Sequence, residues 1–447
     1  MTAQSASNNA NTPGQGIVMG RTVLFTALAL AFGPGAWAAD GFFLRDGERV
    51  LFLGDSITNA GTYVQYIDAY LITRFPQQKF ELINVGLSSE TVTGLSEPDH
   101  PSPRPNVHER LERALEHTKP GTVIACYGMN DGIYAPFDES RFAAYRHGIE
   151  TLIEAVARRH ARLVLITPPP FDPLPIKAKL VPLGAEKFGW LTPYEKYDET
   201  LALYGAWLLG LRSRELSVVD AHGALDHYVF EARRDDPGYT LASDGIHPNA
   251  TGQWLIAREL LRAWHAPMEL DRAVIDAQKL IALEGRVSDI ARDAATGAFM
   301  FTWSRRIPMP IDRAWDKPLV DQGLGSSQFN ELALKIIGLP ARKYVLHEGD
   351  TRLGEVSSAS LERGIDLCAY ADLSTKVRAQ ALWKLVAQRE RLLSPAWLER
   401  VGHKRPGTPK GLPFDEARRQ AAALDEKIRM LSQPLPLAIR VVPAVEP

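Results

Sequence analysis

The sequence predicts an α/β fold, a parallel sheet covered by helices on both faces, with a smaller α+β region after it. Two patterns carry that expectation. From Arg49 to His265, apolar runs of strand length alternate with longer stretches of helical period. That order demands crossover connections and therefore parallel strands. Beyond about Met268 the alternation stops, and short apolar segments are separated by Gly-Leu-Pro-Ala and Glu-Gly-Asp, as in antiparallel hairpins.

In chain order, strands are expected at 49–53, 80–85, 121–127, 161–167 and 216–220. Helices are expected at 62–74, 107–117, 139–158, 194–213 and 249–264. Right-handed crossovers bring successive strand ends to one edge of the sheet, where open α/β folds bind their ligands. The first run, Val50 to Leu53, stops at Gly54-Asp55-Ser56 and so delivers a serine to that edge. Alone, these residues suit a solvated turn or a helix N-cap equally well.

A matching base is supplied by Asp244-Gly245-Ile246-His247-Pro248. An Asp three residues before a His, with Gly between and Pro after, can turn its carboxylate back onto the imidazole. The imidazole can then take a serine proton while the Asp fixes its tautomer. Asn84-Val85-Gly86 and Gly128-Met129-Asn130-Asp131 each follow an apolar run directly. They offer the backbone N–H and side-chain amide that an oxyanion hole needs.

With these four blocks in this order, residues 45 to 265 resemble the SGNH hydrolases, also called GDSL esterases. The resemblance implies a flavodoxin-like three-layer sandwich with strand order 2-1-3-4-5. It implies Ser56 as nucleophile, His247 as base and Asp244 as its orienting partner. It further implies Ser56 N–H, Gly86 N–H and the Asn130 amide as oxyanion donors. One departure is visible, in that Ser89 stands where many members carry a second glycine.

Two connections exceed what topology requires. Leu87 to Asn106 is rich in Ser, Glu and Pro, and Pro168 to Thr192 holds three consecutive prolines, Phe171 and Gly189-Trp190. Long loops in a compact domain are usually functional or disordered, and walls shaping a substrate site are expected here. Candidate substrate contacts are Asp55, Asp131, Trp190 and His222. His222 ends the fifth strand and is also a rival base, although local support of the site suits it better. No His-Glu-x-x-His or comparable ligand spacing occurs, so neither a metal nor a cofactor is expected.

The first forty residues read as a leader, with Arg21, an apolar stretch from Val23 to Phe32, and Ala36-Trp37-Ala38-Ala39 as cleavage pattern. Met19 would make a second, more ordinary start for it. Export to the periplasm or beyond is therefore expected. The apolar run is shorter than the ~20 residues of a membrane span. The expected division is 1–39 signal peptide, 40–267 hydrolase domain and 268–447 accessory α+β region. In the last part a helix is expected at 269–283, strands at 299–303, 332–337, 344–346 and 353–356, helices at 374–393 and 414–431, and a strand at 437–442.

Across 447 residues, 51 Lys and Arg nearly balance 53 Asp and Glu, which asks for no nucleic acid or anionic membrane as partner. The two cysteines, Cys126 and Cys368, make neither a disulfide scaffold nor a thiolate metal site. The sequence thus reads as a secreted serine esterase acting on acyl, foremost acetyl, esters of polysaccharide or oligosaccharide. A lipid or short-chain ester hydrolase and an acyltransferase are the enzymatic alternatives. A glycan-binding protein with a vestigial hydrolase site is the alternative of another class.

Overall fold

The computed structural model describes residues 41–321 and 323–444. The expected leader, 1–39, lies outside the described residues. β1 (Arg49–Gly54) enters the one-turn α1 (Ser56–Asn59) and then α2 (Thr62–Arg74). β2 (Glu81–Asn84), α3 (Leu111–Thr118), β3 (Thr122–Cys126), α4 (Glu139–Arg158) and β4 (Arg162–Ile166) follow. α5 (Tyr197–Gly210), β5 (Leu216–Val219), α6 (Ala221–Asp235) and α7 (Ala250–Ala263) complete the layer structure. The five strands lie in the order β2-β1-β3-β4-β5, all parallel, the sheet that the alternation and the resemblance predict.

Both faces of this sheet are covered, so its strands are apolar throughout rather than alternating. Val50, Phe52, Ile124, Val164 and Ile166 point to one side and pack with Tyr63 and Ile67 of α2 and Trp254 and Leu260 of α7. Leu51, Leu53, Val123, Leu163 and Leu165 point to the other and meet Leu111 and Leu115 of α3 and Ile149 and Leu152 of α4. Each such side chain contributes about 1.5–3 kcal/mol by leaving water. The strands are thereby pinned, and their carboxyl ends form a fixed rim.

The remainder contributes β6 (Glu269–Asp276), β7 (Ile281–Glu284), β8 (Val287–Arg292), β9 (Phe299–Arg305), α8 (Lys317–Asp321) and β10 (Glu331–Ile337). Then come β11 (Lys343–Glu348), β12 (Thr351–Ser357), α9 (Ser358–Arg363), β13 (Ile365–Asp366), α10 (Ser374–Val401), α11 (Phe414–Ser432) and β14 (Leu435–Pro443). Two sheets result, ordered β13-β10-β6-β7 and β12-β11-β14-β9-β8. Ile275, Phe301, Trp303, Leu334, Leu346 and Val441 belong to one buried cluster drawn from both.

Three expectations fail here. Residues 269–283 form β6 and the start of β7, not a helix. Leu270, Ala273, Val274 and Ala277 do recur at helical spacing. Parallel pairing of β6 with β10 overrides that pattern, and Asp276 ends the strand by accepting the Gln278 and Lys279 N–H groups at 3.0 Å each. That same pairing is parallel where hairpins alone were expected. Finally, α10 runs on through Pro395 to Val401. Its last turns bury Trp397, Leu398 and Val401 in the core beneath the first sheet, which outweighs the backbone hydrogen bond a proline removes. α10 packs against β2 and so covers an edge strand that would otherwise offer unpaired backbone.

Candidate active site

The site is assembled where β1 stops. Asp55 caps α1, its Oδ1 accepting the Ile57 N–H at 2.9 Å, and Ser56 therefore begins a helix with its own N–H outside the helical ladder. Asp55 is 2 % exposed, and burial pushes its carboxyl up to about 6. It is a buried cap, not the substrate contact the sequence suggested.

On the loop before α7, Gly245 takes the left-handed conformation, φ +79°. That turn lets Asp244 Oδ1 accept the N–H groups of Ile246 at 2.9 Å and His247 at 2.8 Å. The other oxygen, Oδ2, lies 2.6 Å from His247 Nδ1. His247 Nε2 lies 2.7 Å from Ser56 Oγ. Partial burial acts to raise the Asp244 carboxyl, but the hydrogen bonds from His247 and Ile246 outweigh it and hold the group well below the usual carboxylate range. The hydrogen bond to Asp244, acting against partial burial, raises His247 above an ordinary histidine. With Nδ1–H donating to the carboxylate, Nε2 presents its lone pair to the serine hydroxyl. Both side chains are about half exposed, 47 % and 49 %, so the chain of hydrogen bonds opens onto the surface.

The amide expected opposite the serine is held firmly. Asn130 Oδ1 accepts Arg104 Nη1 at 2.9 Å and the Tyr134 hydroxyl at 3.0 Å. Nδ2 donates to Glu90 O at 3.3 Å, which occupies one of its two hydrogens. Asp131 beside it is fully buried and accepts the Val92 and Thr93 N–H groups at 2.8 and 3.1 Å. Burial pushes its carboxyl up to about 7. Asp131 therefore fastens the loop after β2 and contacts no substrate.

Gly86 is placed differently from the expectation. Its N–H donates to Asn84 Oδ1 at 2.9 Å, while Asn84 Nδ2 donates to Thr58 O at 2.9 Å. Gly86 is glycine because a Cβ there would sit 2.4 Å from Asn59 N and 2.7 Å from Thr58 C. It lets β2's exit press against α1. In the turn that follows, Glu90 N–H returns to Leu87 O at 3.1 Å and Ser89 adopts φ +66°. Among the described residues, the Ser89 N–H has no hydrogen-bond partner.

His222 is held by its own surroundings. Its Nδ1 lies 3.1 Å from Pro168 O and its Nε2 3.7 Å from Asp198 Oδ2, so it braces the loop after β4. Trp190 is 40 % exposed, and its backbone N–H reaches Glu97 Oε1 at 3.3 Å. Glu97 and Arg104, which the sequence reading did not single out, form a buried ion pair at 2.6 Å. Their only sequence signal is opposite charge seven residues apart in a Pro-rich loop. No group of three or more His, Cys, Asp or Glu among the described residues is arranged to hold a metal ion. Among the same residues, no helix is long and apolar enough to cross a membrane.

The family model of the GDSL-like lipases/acylhydrolases matches residues 52–255. The acetylxylan esterase of Geobacillus stearothermophilus is 26% identical over 235 residues, 49% of this chain and 94% of that protein. Among solved structures, BT4096, a gut microbial diltiazem-metabolizing enzyme, superposes with a TM-score of 0.68 at 19% identity. That similarity covers 91% of this chain and 99% of the other, so the fold they share extends through the C-terminal sheets. A catalytic mutant of the acetylxylan esterase Axe2 from Geobacillus stearothermophilus gives a TM-score of 0.37 at 21% identity, over 50% of this chain and 96% of its own.

Proposed function

Residues 52–255 belong to the GDSL-like lipase/acylhydrolase family, the chain is a carboxylic ester hydrolase, and from that premise we propose an exported serine esterase that removes acetyl groups from polysaccharide or oligosaccharide through an acyl-enzyme on Ser56. The observation that carries the chemistry is the continuous hydrogen-bond path from Ser56 Oγ through His247 to Asp244.

In this reading Ser56 Oγ attacks the ester carbonyl carbon as its proton passes to His247 Nε2. The carbonyl oxygen becomes an oxyanion facing Ser56 N–H, the uncommitted hydrogen of Asn130 Nδ2 and the Ser89 N–H, which takes the place first given to Gly86. As the tetrahedral intermediate collapses, the alcohol leaves with the proton from His247. Water, losing a proton to the same nitrogen, then attacks the acyl carbon, and Ser56 Oγ leaves with that proton as the free acid is released.

Acetylated glycan as substrate is supported by the acetylxylan esterase relative and by a half-exposed triad that leaves room for a bulky alcohol. Trp190 offers an exposed ring for a sugar face. Esters of apolar alcohols are the second reading, favoured by Leu183 and Leu191, 71% and 52% exposed in the same loop as Trp190. Acetate release from acetylated xylo-oligosaccharide, compared with turnover of short- and long-chain p-nitrophenyl esters, separates the two. A Ser56→Ala protein that still hydrolyses p-nitrophenyl acetate at the wild-type rate would end the mechanism.

A further inference from the structure

We propose that Arg104 is the positioning residue of the oxyanion hole. It fixes which end of the Asn130 amide faces the reacting carbonyl, and with Glu97 it ties both rim loops to that amide. This rests on reading Asn130 as an oxyanion donor.

A carboxamide is nearly symmetric in shape but opposite in charge at its two ends. With Nδ2 toward the oxyanion it stabilises the intermediate, and with Oδ1 there it repels it. Nothing in Asn130 itself selects the productive rotamer. The selection comes chiefly from two donors converging on Oδ1, one of them the charged guanidinium nitrogen of Arg104 and the other the Tyr134 hydroxyl, with Glu90 O accepting from Nδ2 at a longer 3.3 Å. Turning the amide over would set its NH2 group against both. A cation bonded to Oδ1 also draws electron density from the amide, which makes the Nδ2 hydrogens better donors.

Arg104 is itself held in place. Its Nε and Nη2 donate to Glu97 Oε2 and Oε1 at 2.6 and 2.7 Å, the fork-to-fork geometry that only arginine can make. Nη1 is left for Asn130 Oδ1 at 2.9 Å and, more weakly, for Ser89 O at 3.5 Å. The guanidinium lies 5.5 Å from the centre of the Tyr134 ring. The Arg104 side chain is 2% exposed and that of Glu97 0%, so Arg104 is screened from substrate and acts through the groups it holds, foremost Asn130. Glu97 Oε1 in addition accepts the backbone N–H of Trp190. The two long loops thus meet on a single carboxylate, whose partner arginine orients the amide, and a substrate seated on Trp190 engages a loop fastened to that pair.

The test is a double-mutant cycle of Arg104→Met and Asn130→Ala, read as kcat and KM on p-nitrophenyl acetate, with Arg104→Lys alongside. Arg104→Lys keeps the charge but lacks the fork, and it remains informative if Arg104→Met unfolds. Removing an oxyanion donor costs on the order of 10²–10³ in rate, so Asn130→Ala should fall in that range. Both Arg104 variants should lose about 10- to 100-fold in kcat with KM nearly unchanged. In the Asn130→Ala background, Arg104→Met should cost roughly threefold or less, because the amide it orients is gone and only the weak contact to Ser89 O is left to lose. Unchanged kcat in the Arg104 variants, or fully additive losses in the double variant, overturns the proposal while leaving the oxyanion reading intact. A fully active Asn130→Ala enzyme overturns the oxyanion reading itself, and the role of Arg104 with it.

Discussion

Replacing Asp244 by asparagine should damage this site more than replacing it by alanine. The reason lies in the second oxygen of the carboxylate. Oδ1 accepts two backbone N–H groups, from Ile246 and His247, and an asparagine at 244 must keep its Oδ1 there, since its NH2 group would otherwise face two donors. The NH2 group is thereby forced toward His247 Nδ1. The imidazole then offers Nδ1 as acceptor and carries its proton on Nε2, pointing at Ser56 Oγ. A base in that tautomer cannot take the serine proton, and the loss is on the order of 10⁴-fold in kcat/KM. Alanine removes the charge and the hydrogen bonds of the carboxylate but leaves the tautomer free. Two unit charges about 4 Å apart interact by about 1–4 kcal/mol between effective dielectric constants of 80 and 20. His247 and Asp244 are 47% and 49% exposed, which places them in the lower part of that range, so Asp244→Ala should lose roughly 5- to 100-fold. The assay is kcat/KM on p-nitrophenyl acetate from pH 6 to 9, with thermal melts to confirm folding. An Asp244→Asn enzyme equal to or faster than Asp244→Ala refutes the tautomer argument.

The pH profile gives an independent reading of the same pair. Because the hydrogen bond to Asp244 raises the His247 pKa, the protonated form is favoured and the working base appears only above that raised value. The acid limb of kcat/KM should therefore lie above the ordinary histidine value of about 6.5 and move to lower pH in Asp244→Ala; a limb that stays put in that variant assigns it to another group. At the turn after β2, Gly86→Ala must push backbone of α1 aside, since the Asn59 N and Thr58 C atoms cannot yield cheaply. It should cost about 1–3 kcal/mol of stability and most of the activity, by displacing Ser56. Ser89→Gly relieves a left-handed serine while keeping its N–H. Activity should survive and stability should rise by about 1 kcal/mol or less, as measured by differential scanning calorimetry. A dead but folded Ser89→Gly enzyme would show that the serine side chain matters.

The sequence by itself determined the first sheet and pointed to Ser56, His247 and Asp244, which the structure brings within hydrogen-bond distance of one another. Apolar runs such as Val50 to Leu53 encode strands buried on both faces, and the Gly-Asp-Ser and Asp-x-x-His blocks carry their geometry in local turns. Asp55 capping α1 and Gly245 turning Asp244 back onto His247 are both local arrangements, within three residues. Burial and turn chemistry of this kind act over a few residues, so they are written in consecutive letters. What only the tertiary structure decided are choices among partners distant in the chain. Asn84 Oδ1 takes the Gly86 N–H, and among the described residues it is the Ser89 N–H that is left open. The helical spacing of Leu270, Ala273, Val274 and Ala277 lost to pairing with β10, some sixty residues on. Arg104, Glu97 and Tyr134 acquire meaning only when two loops close over Asn130. Such hydrogen bonds depend on which groups packing excludes from water together, and no short-range pattern in the chain records that.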